Sequence, residues 1–204
     1  MYTLDDAIRT LQDGKPIIII DDTDRENEGD LIYPAENIDA KAITFMLNHC
    51  SGIICLTLPP AHLEALELPL MVNSENNTSN LGTSFTVSIE ASEGVSTGVS
   101  AADRATTIQK AIAPGAKPSD LARPGHVFPL RAHPEGILGR QGHTEASIAA
   151  ATLAGFSPAA VLCELMNKDG TMARKDDIEA FASQHDLCVI STEMLYDHFK
   201  KNAS

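Results

Sequence analysis

Short apolar runs alternate along the chain with segments whose apolar side chains recur at helical spacing. Residues 3–13 show the helical spacing, and a capping box formed by Thr3 and Asp6 precedes them. Residues 17–20 are four isoleucines, a β-branched run that is too short for a helix and apolar on both faces. The first segment is therefore predicted to be an amphipathic helix and the second a covered central strand.

The same alternation continues to the C-terminus. Strands are predicted at residues 31–33, 53–58, 83–90, 160–165 and 187–190, an extended stretch at 123–130, and helices at 40–48, 100–113, 144–154, 175–184 and in the tail. Ser100 and Asp103 form a second capping box. Without a linker or repeat, this order favours one domain over residues 1–204. We expect an α+β fold of the three-layer α/β type, with helices covering a mixed β-sheet.

Composition narrows the class of protein. The chain has 204 residues, 43% of them hydrophobic, which is too apolar for a disordered acidic tail, and it has no apolar run of membrane-spanning length. Its net charge of −13 repels nucleic-acid phosphates and anionic lipids, so we expect neither nucleic acid nor membrane as a partner. The four cysteines lie in apolar runs without a CxxC pair, which indicates reduced, buried thiols and a cytoplasmic protein.

The negative charge is unevenly distributed. Residues 1–100 hold 4 basic and 16 acidic side chains, whereas residues 101–204 hold 11 and 12. Six acids fall within residues 21–30, where Arg25 is the only base, and apolar runs flank this segment on both sides. The acids are therefore predicted to lie in a loop between two strands.

Three of these acids, Glu26, Glu28 and Asp30, occupy alternate positions. Side chains spaced by two point the same way on an extended chain, so the carboxylates can converge on one hard cation such as Mg²⁺. A solvated acidic turn explains the same residues. Composition alone leaves the two interpretations open.

A second candidate segment is the glycine-punctuated turn at residues 139–145, which leads into a predicted helix. Backbone N–H groups at a helix start attract anions, Thr144 adds a hydroxyl, and Arg140 can bind phosphate with two nitrogens. His143 offers a ring nitrogen that could complete the cation site. The alternative is a capped helix with an incidental histidine.

Two further residues could transfer protons. Glu164 lies in an apolar strand, and a carboxyl buried there has to be paired, protonated or functional; with a raised pKa it could exchange a proton near neutrality. His126 is held between prolines and is the other natural general acid or base. A structural ion pair with an arginine would explain Glu164 equally well, and a backbone hydrogen bond at a strand end would explain His126. Cys55, at the centre of a strand, is predicted to be core rather than nucleophile.

Taken together, these segments closely resemble the 3,4-dihydroxy-2-butanone 4-phosphate synthase family. The resemblance runs in order through residues 21–30 (DDTDRENEGD), 76–79 (NNTS), 97–104 (TGVSAADR), 123–131 (RPGHVFPLR), 142–146 (GHTEA) and 162–165 (LCEL). Long blocks in the family's order are stronger evidence than any single motif. After residue 190 the resemblance is loose, so no function is assigned there.

The resemblance implies a lyase of riboflavin biosynthesis that converts D-ribulose 5-phosphate to L-3,4-dihydroxy-2-butanone 4-phosphate and formate. It implies a Mg²⁺-stabilised enediolate, a skeletal rearrangement and loss of a one-carbon unit, with Mn²⁺ as a possible substitute, in a homodimer with shared active sites. The implied roles are metal binding by Glu26 and His143, catalysis by His126 and Glu164, substrate binding by Arg25, Glu26, Asp30, Arg140, Gln141, Gly142, His143, Thr144 and Glu164, and support from Asp21, Glu28, Cys55 and Thr97.

One departure concerns Gln141, which stands where a second glycine would let the backbone approach phosphate more closely; it is tolerable if the side chain faces solvent. The cation would also offset the repulsion between the acidic loop and an anionic sugar phosphate. Two other functions stay open: a non-catalytic metal- or nucleotide-binding module, and another sugar-phosphate enzyme such as an isomerase or aldolase, which would release no formate.

Overall fold

The computed structural model describes residues 2–203. Its helices are α1 (Leu4–Gln12), α2 (Ala40–His49), α3 (Pro60–Ala65), α4 (Ala101–Ile112), α5 (His143–Leu153), α6 (Lys175–His185) and α7 (Thr192–Asn202). Its strands are β1 (Ile17–Ile20), β2 (Gly29–Pro34), β3 (Cys55–Leu58), β4 (Ile89–Ala91), β5 (Leu121–Arg131), β6 (Ala160–Glu164) and β7 (Cys188–Ser191). Within this range no helix is long and apolar enough to cross a membrane.

The seven strands form one mixed sheet in the order β4-β5-β3-β6-β2-β1-β7. Strand β1 pairs parallel to β7 and β3 parallel to β5, whereas β2 pairs antiparallel to both β1 and β6. The central strands are buried on both faces, which explains why residues 17–20 tolerate four consecutive isoleucines.

Two apolar clusters lie on opposite faces of the sheet. Ile18 and Leu31 belong to the cluster that includes residues of α2, α4 and α6. Ile17 and Ile32 belong to the cluster that includes residues of α1, α5 and α7. The helices therefore cover a mixed sheet in three layers, as predicted. The four cysteines are buried and free, as their apolar surroundings indicated.

The strand predicted at residues 83–90 is wrong in position. Phe85 and Thr86 form only isolated bridges, and regular pairing begins at Ile89, where β4 meets β5 with a register shift. The strand alongside contains Pro129, which has no N–H to donate to a ladder. Its carbonyl accepts instead from the Thr86 N–H at 3.0 Å. The short helix α3 was not predicted.

The second capping box is only half formed. The Ser100 hydroxyl accepts from the Asp103 N–H at 3.0 Å, as predicted. The Asp103 carboxylate, however, accepts from the Ser96 N–H and hydroxyl and from the Gly98 N–H, at 2.7 to 3.1 Å. Asp103 therefore holds the preceding loop, residues 96–98, against α4.

Candidate functional site

Asp21 organises the acidic loop between β1 and β2. Its side chain is fully buried, and its carboxylate accepts from the Glu26 N–H and the Glu28 N–H, each at 3.0 Å, and from Arg25 Nη1 at 2.8 Å. Arg25 Nη1 also lies 3.0 Å from Glu26 Oε2. The loop is thus folded around one carboxylate, and this geometry favours a built site over a solvated turn.

Arg174, which the sequence reasoning did not single out, holds this loop from outside. Its Nη1 donates to the carbonyls of Glu26 and Asn27 at 2.6 and 2.7 Å and lies 3.4 Å from Glu28 Oε1. Asn27 has φ of +54°, a left-handed conformation that brings its carbonyl into this arrangement. Nothing local in the sequence links Arg174 to the loop.

His143, the first residue of α5, meets the acidic loop across the sheet face. Its Nδ1 lies 3.1 Å from Glu26 Oε2, although the two residues are 117 positions apart, and 3.8 Å from Asp30 Oδ1. Donor atoms of Asp21, Glu26 and His143 all lie within 4.8 Å of one another. The structure therefore brings together Glu26 and His143, the two predicted metal ligands, and adds Asp21.

The buried pair Asp30 and His143 is electrostatically unusual. Burial raises the pKa of Asp30 to about 7, against a smaller opposing effect of His143. Burial lowers the pKa of His143, but the carboxylates of Asp30 and Glu26 outweigh it and raise that pKa to about 9. The hydrogen bond from His143 lowers the pKa of Glu26 despite its partial burial. At neutral pH Glu26 is therefore a negatively charged carboxylate, and His143 beside it is a positively charged imidazolium.

Two buried polar atoms in this pair, Asp30 Oδ1 and His143 Nε2, have no hydrogen-bond partner among residues 2–203. Buried polar atoms are rarely left unsatisfied, and an ion that completes the bonding is one of the explanations for such an exception. Carboxylate oxygens suit hard divalent cations such as Mg²⁺ and Mn²⁺, and imidazole adds a borderline ligand. The donor set therefore fits a divalent cation.

The predicted phosphate turn lies directly before α5. Gly142 is the N-cap of this helix and provides no side-chain cap, so the first N–H groups are left for another acceptor. A Cβ at Gly142 would lie 2.3 Å from Arg140 Nη1, so a larger residue here would displace the Arg140 guanidinium. Thr144 is buried, whereas Gln141 is exposed, which is the condition under which its bulk is tolerable.

Arg140 is already paired. Its Nη1 lies 2.8 Å from Oε2 of Glu145, whose side chain is 1% exposed, and its Nη2 donates to the Leu81 carbonyl at 3.4 Å. A cleft of about 370 Å³, lined partly by Arg131, Arg140 and Thr144, opens beside it. The pairing fixes the guanidinium at the edge of this cleft, whose lining also includes Glu64 and Glu145. A larger cleft of about 790 Å³, near α2, contains none of the predicted site residues.

Glu164 is less buried than predicted. It ends β6 opposite Asp30 of β2 and is half-buried, and its Oε2 accepts from the Ser51 hydroxyl at 2.7 Å. The premise of full burial is wrong because the apolar strand reaches the open end of the sheet at this residue. Within residues 2–203 no arginine or lysine pairs with Glu164, so the structural ion pair is not seen either. Of these two facing carboxyls, Asp30 is the buried one.

His126 lies in β5, which β3 separates from β6, so its backbone is two strand spacings, roughly 10 Å, from that of Glu164. Its side chain is 44% exposed and bonds to a carboxylate, with Nδ1 2.7 Å from Glu90 Oε2, rather than to a backbone group. The sequence reasoning did not single out Glu90 or Ser51.

The remaining predicted residues differ in their surroundings. Cys55 is buried in β3, as predicted for a core residue, and burial raises the pKa of its thiol well above the ordinary value. Thr97 is exposed in the loop that Asp103 holds. Neither residue touches the acidic loop through a hydrogen bond in the described part of the chain, so their supporting roles stay predictions.

Comparison with known proteins identifies a family that matches most of this chain. The sequence profile of 3,4-dihydroxy-2-butanone 4-phosphate synthase matches residues 5–198. The chain belongs to this family. Family membership identifies it as an enzyme and supports a role in riboflavin biosynthesis.

Similar family members include the 3,4-dihydroxy-2-butanone 4-phosphate synthase of Klebsiella pneumoniae subsp. pneumoniae, 58% identical over 93% of this chain and 86% of that protein. The synthase of Citrobacter koseri is 57% identical with the same coverage. A crystal structure of a synthase in complex with two magnesium ions has a TM-score of 0.94, 39% identity and 98% coverage of both chains. A two-domain synthase from A. baumannii has a TM-score of 0.90 and 44% identity over 95% of this chain, which spans 56% of that longer chain.

Proposed function

We propose that this synthase converts D-ribulose 5-phosphate to L-3,4-dihydroxy-2-butanone 4-phosphate and formate. The observation that carries the proposal is the convergence of Asp21, Glu26 and His143 within 4.8 Å, at the start of the helix that the predicted phosphate turn precedes. A cation site next to an anion site suits a substrate with adjacent oxygens at one end and phosphate at the other.

The proposed cation is Mg²⁺, with Mn²⁺ as a possible substitute. Glu26 and His143 would hold it, and Asp21 lies close enough to contribute. The synthase crystallised with two magnesium ions supports this choice of metal. A bound divalent cation supplies positive charge that stabilises negative charge on neighbouring substrate oxygens.

The other contacts follow from position. Arg25, Glu26 and Asp30 line the acidic loop and are proposed to bind the sugar, with Glu28 in support. The phosphate is assigned to the turn and the first residues of α5, where unsatisfied N–H groups and a hydroxyl lie together; these are Arg140, Gln141, Gly142, His143 and Thr144. Because Arg140 is paired with Glu145, it would reach phosphate with the face of its guanidinium that Glu145 leaves open.

Proton transfer is assigned to Glu164 and His126. Glu164 is half-buried, and Ser51 and the facing Asp30 restrict it, which suits a base directed at a substrate hydroxyl. His126 is assigned to proton transfer around the enediol. A Glu164→Gln variant keeps the side-chain volume and removes the base, so it should lose turnover with Mg²⁺ present. Full turnover would refute the assignment.

A homodimer with shared active sites is proposed from the family resemblance. Ile53 and Val99, which are 48% and 47% exposed, offer apolar surface for such an interface. Light scattering on the purified chain measures the mass directly. Cytoplasmic location stays a prediction, which the four free thiols support.

Incubation with ribulose 5-phosphate and Mg²⁺, with formate as the measured product, tests the function. We expect formate in a one-to-one ratio with the four-carbon phosphate and its loss with EDTA. Consumption of substrate without formate would indicate an isomerase or aldolase instead. Binding without consumption under either Mg²⁺ or Mn²⁺ would indicate a non-catalytic module.

A further inference from the structure

Glu90 and His126 form a carboxylate–imidazole pair at the edge of the sheet. His126 presents both its ring Nδ1 and its backbone N–H to the same oxygen, Glu90 Oε2, at 2.7 and 3.2 Å. The Glu90 side chain is only 16% exposed, although it lies at an edge strand. Because the ring and the backbone of His126 both donate to Glu90 Oε2, this oxygen holds the imidazole and the β5 backbone in place together.

The backbone around Glu90 is shaped to bring this pair together. The register of β4 against β5 shifts between Ile89 and Glu90, and a Cβ at Gly125 would lie 2.0 Å from the Ile89 carbonyl oxygen. Glycine at position 125 therefore lets the two strands approach directly before His126. A shift of this kind re-aims the side chain that follows it.

A second glycine, Gly98, lies against the carboxylate of Glu90 itself. Gly98 is buried with φ of +82°, and a Cβ there would lie 1.6 Å from Glu90 Oε1. Its N–H donates to the Asp103 carboxylate at 3.0 Å, which holds the loop in place. One glycine thus lies against the backbone of Glu90 and the other against its carboxylate, and a larger residue at position 98 would displace that carboxylate.

We propose that Glu90 is a positioning residue that selects the tautomer of His126. A carboxylate at 2.7 Å requires a proton on Nδ1, so in the neutral ring the lone pair lies on Nε2, on the side away from Glu90. A histidine that accepts protons through Nε2 needs this tautomer. The role rests on the proposed function of His126, but the tautomer can be measured without turnover.

The test combines a tautomer measurement with kinetics. Histidine-labelled ¹⁵N NMR over a pH series should show that, once the His126 ring is neutral, Nδ1 is protonated and Nε2 is bare, the signal being assigned by its absence in His126→Gln. In Glu90→Gln the amide can also donate, so a mixed population is expected, with kcat lower by about 10- to 100-fold and KM within about threefold. Glu90→Asp keeps a carboxylate and should recover part of kcat.

A matched control is Glu93→Gln, on the exposed loop three residues further on, which should change neither the tautomer nor kcat. A neutral ring with its proton on Nε2 in the unmodified protein would overturn the inference, whether or not Glu90→Gln folds. So would a Glu90→Gln protein with normal kcat, or with a normal tautomer. If the unmodified enzyme releases no formate, the proposed function fails and the NMR result alone decides on Glu90.

Discussion

Cation binding at the acidic loop should expel a proton from His143. In the cation-free protein the imidazole is protonated at neutral pH, because nearby carboxylates outweigh burial and raise its pKa to about 9. Its Nδ1–H then donates to Glu26 Oε2 at 3.1 Å, the same oxygen that a cation would use. An imidazole has to be neutral to act as a metal ligand, so proton and cation compete for one site.

The size of the effect follows from the two pKa values. Between pH 7.5 and 8.5, Asp30, with a pKa of about 7, is mostly ionised, while His143 is still mostly protonated. Mass action then predicts about 0.9 proton released per cation at pH 8 and an affinity that rises nearly tenfold per pH unit, or about 1.4 kcal/mol. Above the pKa of His143 the dependence should level off.

Calorimetric titration of Mg²⁺ at pH 8, in two buffers with different ionisation enthalpies, measures the protons released. His143→Gln should bind the cation more weakly and release almost no proton, because Gln does not titrate. His198→Gln, on α7, is the matched control and should behave like the unmodified protein. Release below about 0.3 proton, with affinity constant within twofold from pH 7.5 to 8.5, would refute the competition.

Three further predictions concern groups around this site. Ser51→Ala removes the hydrogen bond to Glu164 and should lower kcat. The free energy of unfolding, measured by denaturant titration, should change by only about 1 kcal/mol. An unchanged kcat would contradict a positioning role for Ser51. Arg174→Met frees the loop carbonyls and should weaken Mg²⁺ binding by about threefold to tenfold, whereas Arg9→Met, which removes an exposed ion pair, should not. Asp30→Asn should stabilise the cation-free protein increasingly from pH 5 to 8, by about 2 kcal/mol. The reason is that Asp30 has a higher pKa in the folded than in the unfolded protein, so the unmodified protein loses stability as the pH rises through the folded pKa. Thermal unfolding with no such trend would contradict the burial effect.

The secondary structure was largely predictable because its signals are local. The capping box of Thr3 and Asp6 is formed, and residues 17–20 form β1 over the predicted range. The signal failed at residues 83–90, where alternation of polar and apolar side chains suggested a strand. Whether such a segment pairs depends on its neighbour, and the neighbour contains Pro129, far away in the sequence. Alternation reports which side of a segment is buried, and it cannot report which strand lies alongside.

The residue types of the candidate site were predictable from the sequence, but the extent to which each side chain is buried was not. Glu164 lies in an apolar run, which suggested burial, whereas Asp30 ends an acidic run for which a cation site and a solvated turn were both left open. The strand register places them opposite each other, and His143 at the start of α5 is close to Asp30, so Asp30 is the deeper. Burial of a carboxyl is decided by the element that packs over the strand, which in this case comes from the other half of the chain.

The uneven charge of the sequence has a different consequence from the one that composition suggests. Counted alone, the acidic loop would repel an anionic substrate until a cation arrived. In the folded protein, Arg25, His143 and Arg174 already lie among its carboxylates at ion-pair distance, and two of these three come from the near-neutral second half. A cation bound there would therefore have to replace a proton on His143, because it would not enter a purely negative cavity. The electrostatic gain from binding the cation would be correspondingly smaller, and the affinity for it would depend on pH. The positive charges of Arg25, His143 and Arg174 would also limit the repulsion among the carboxylates when no cation is bound.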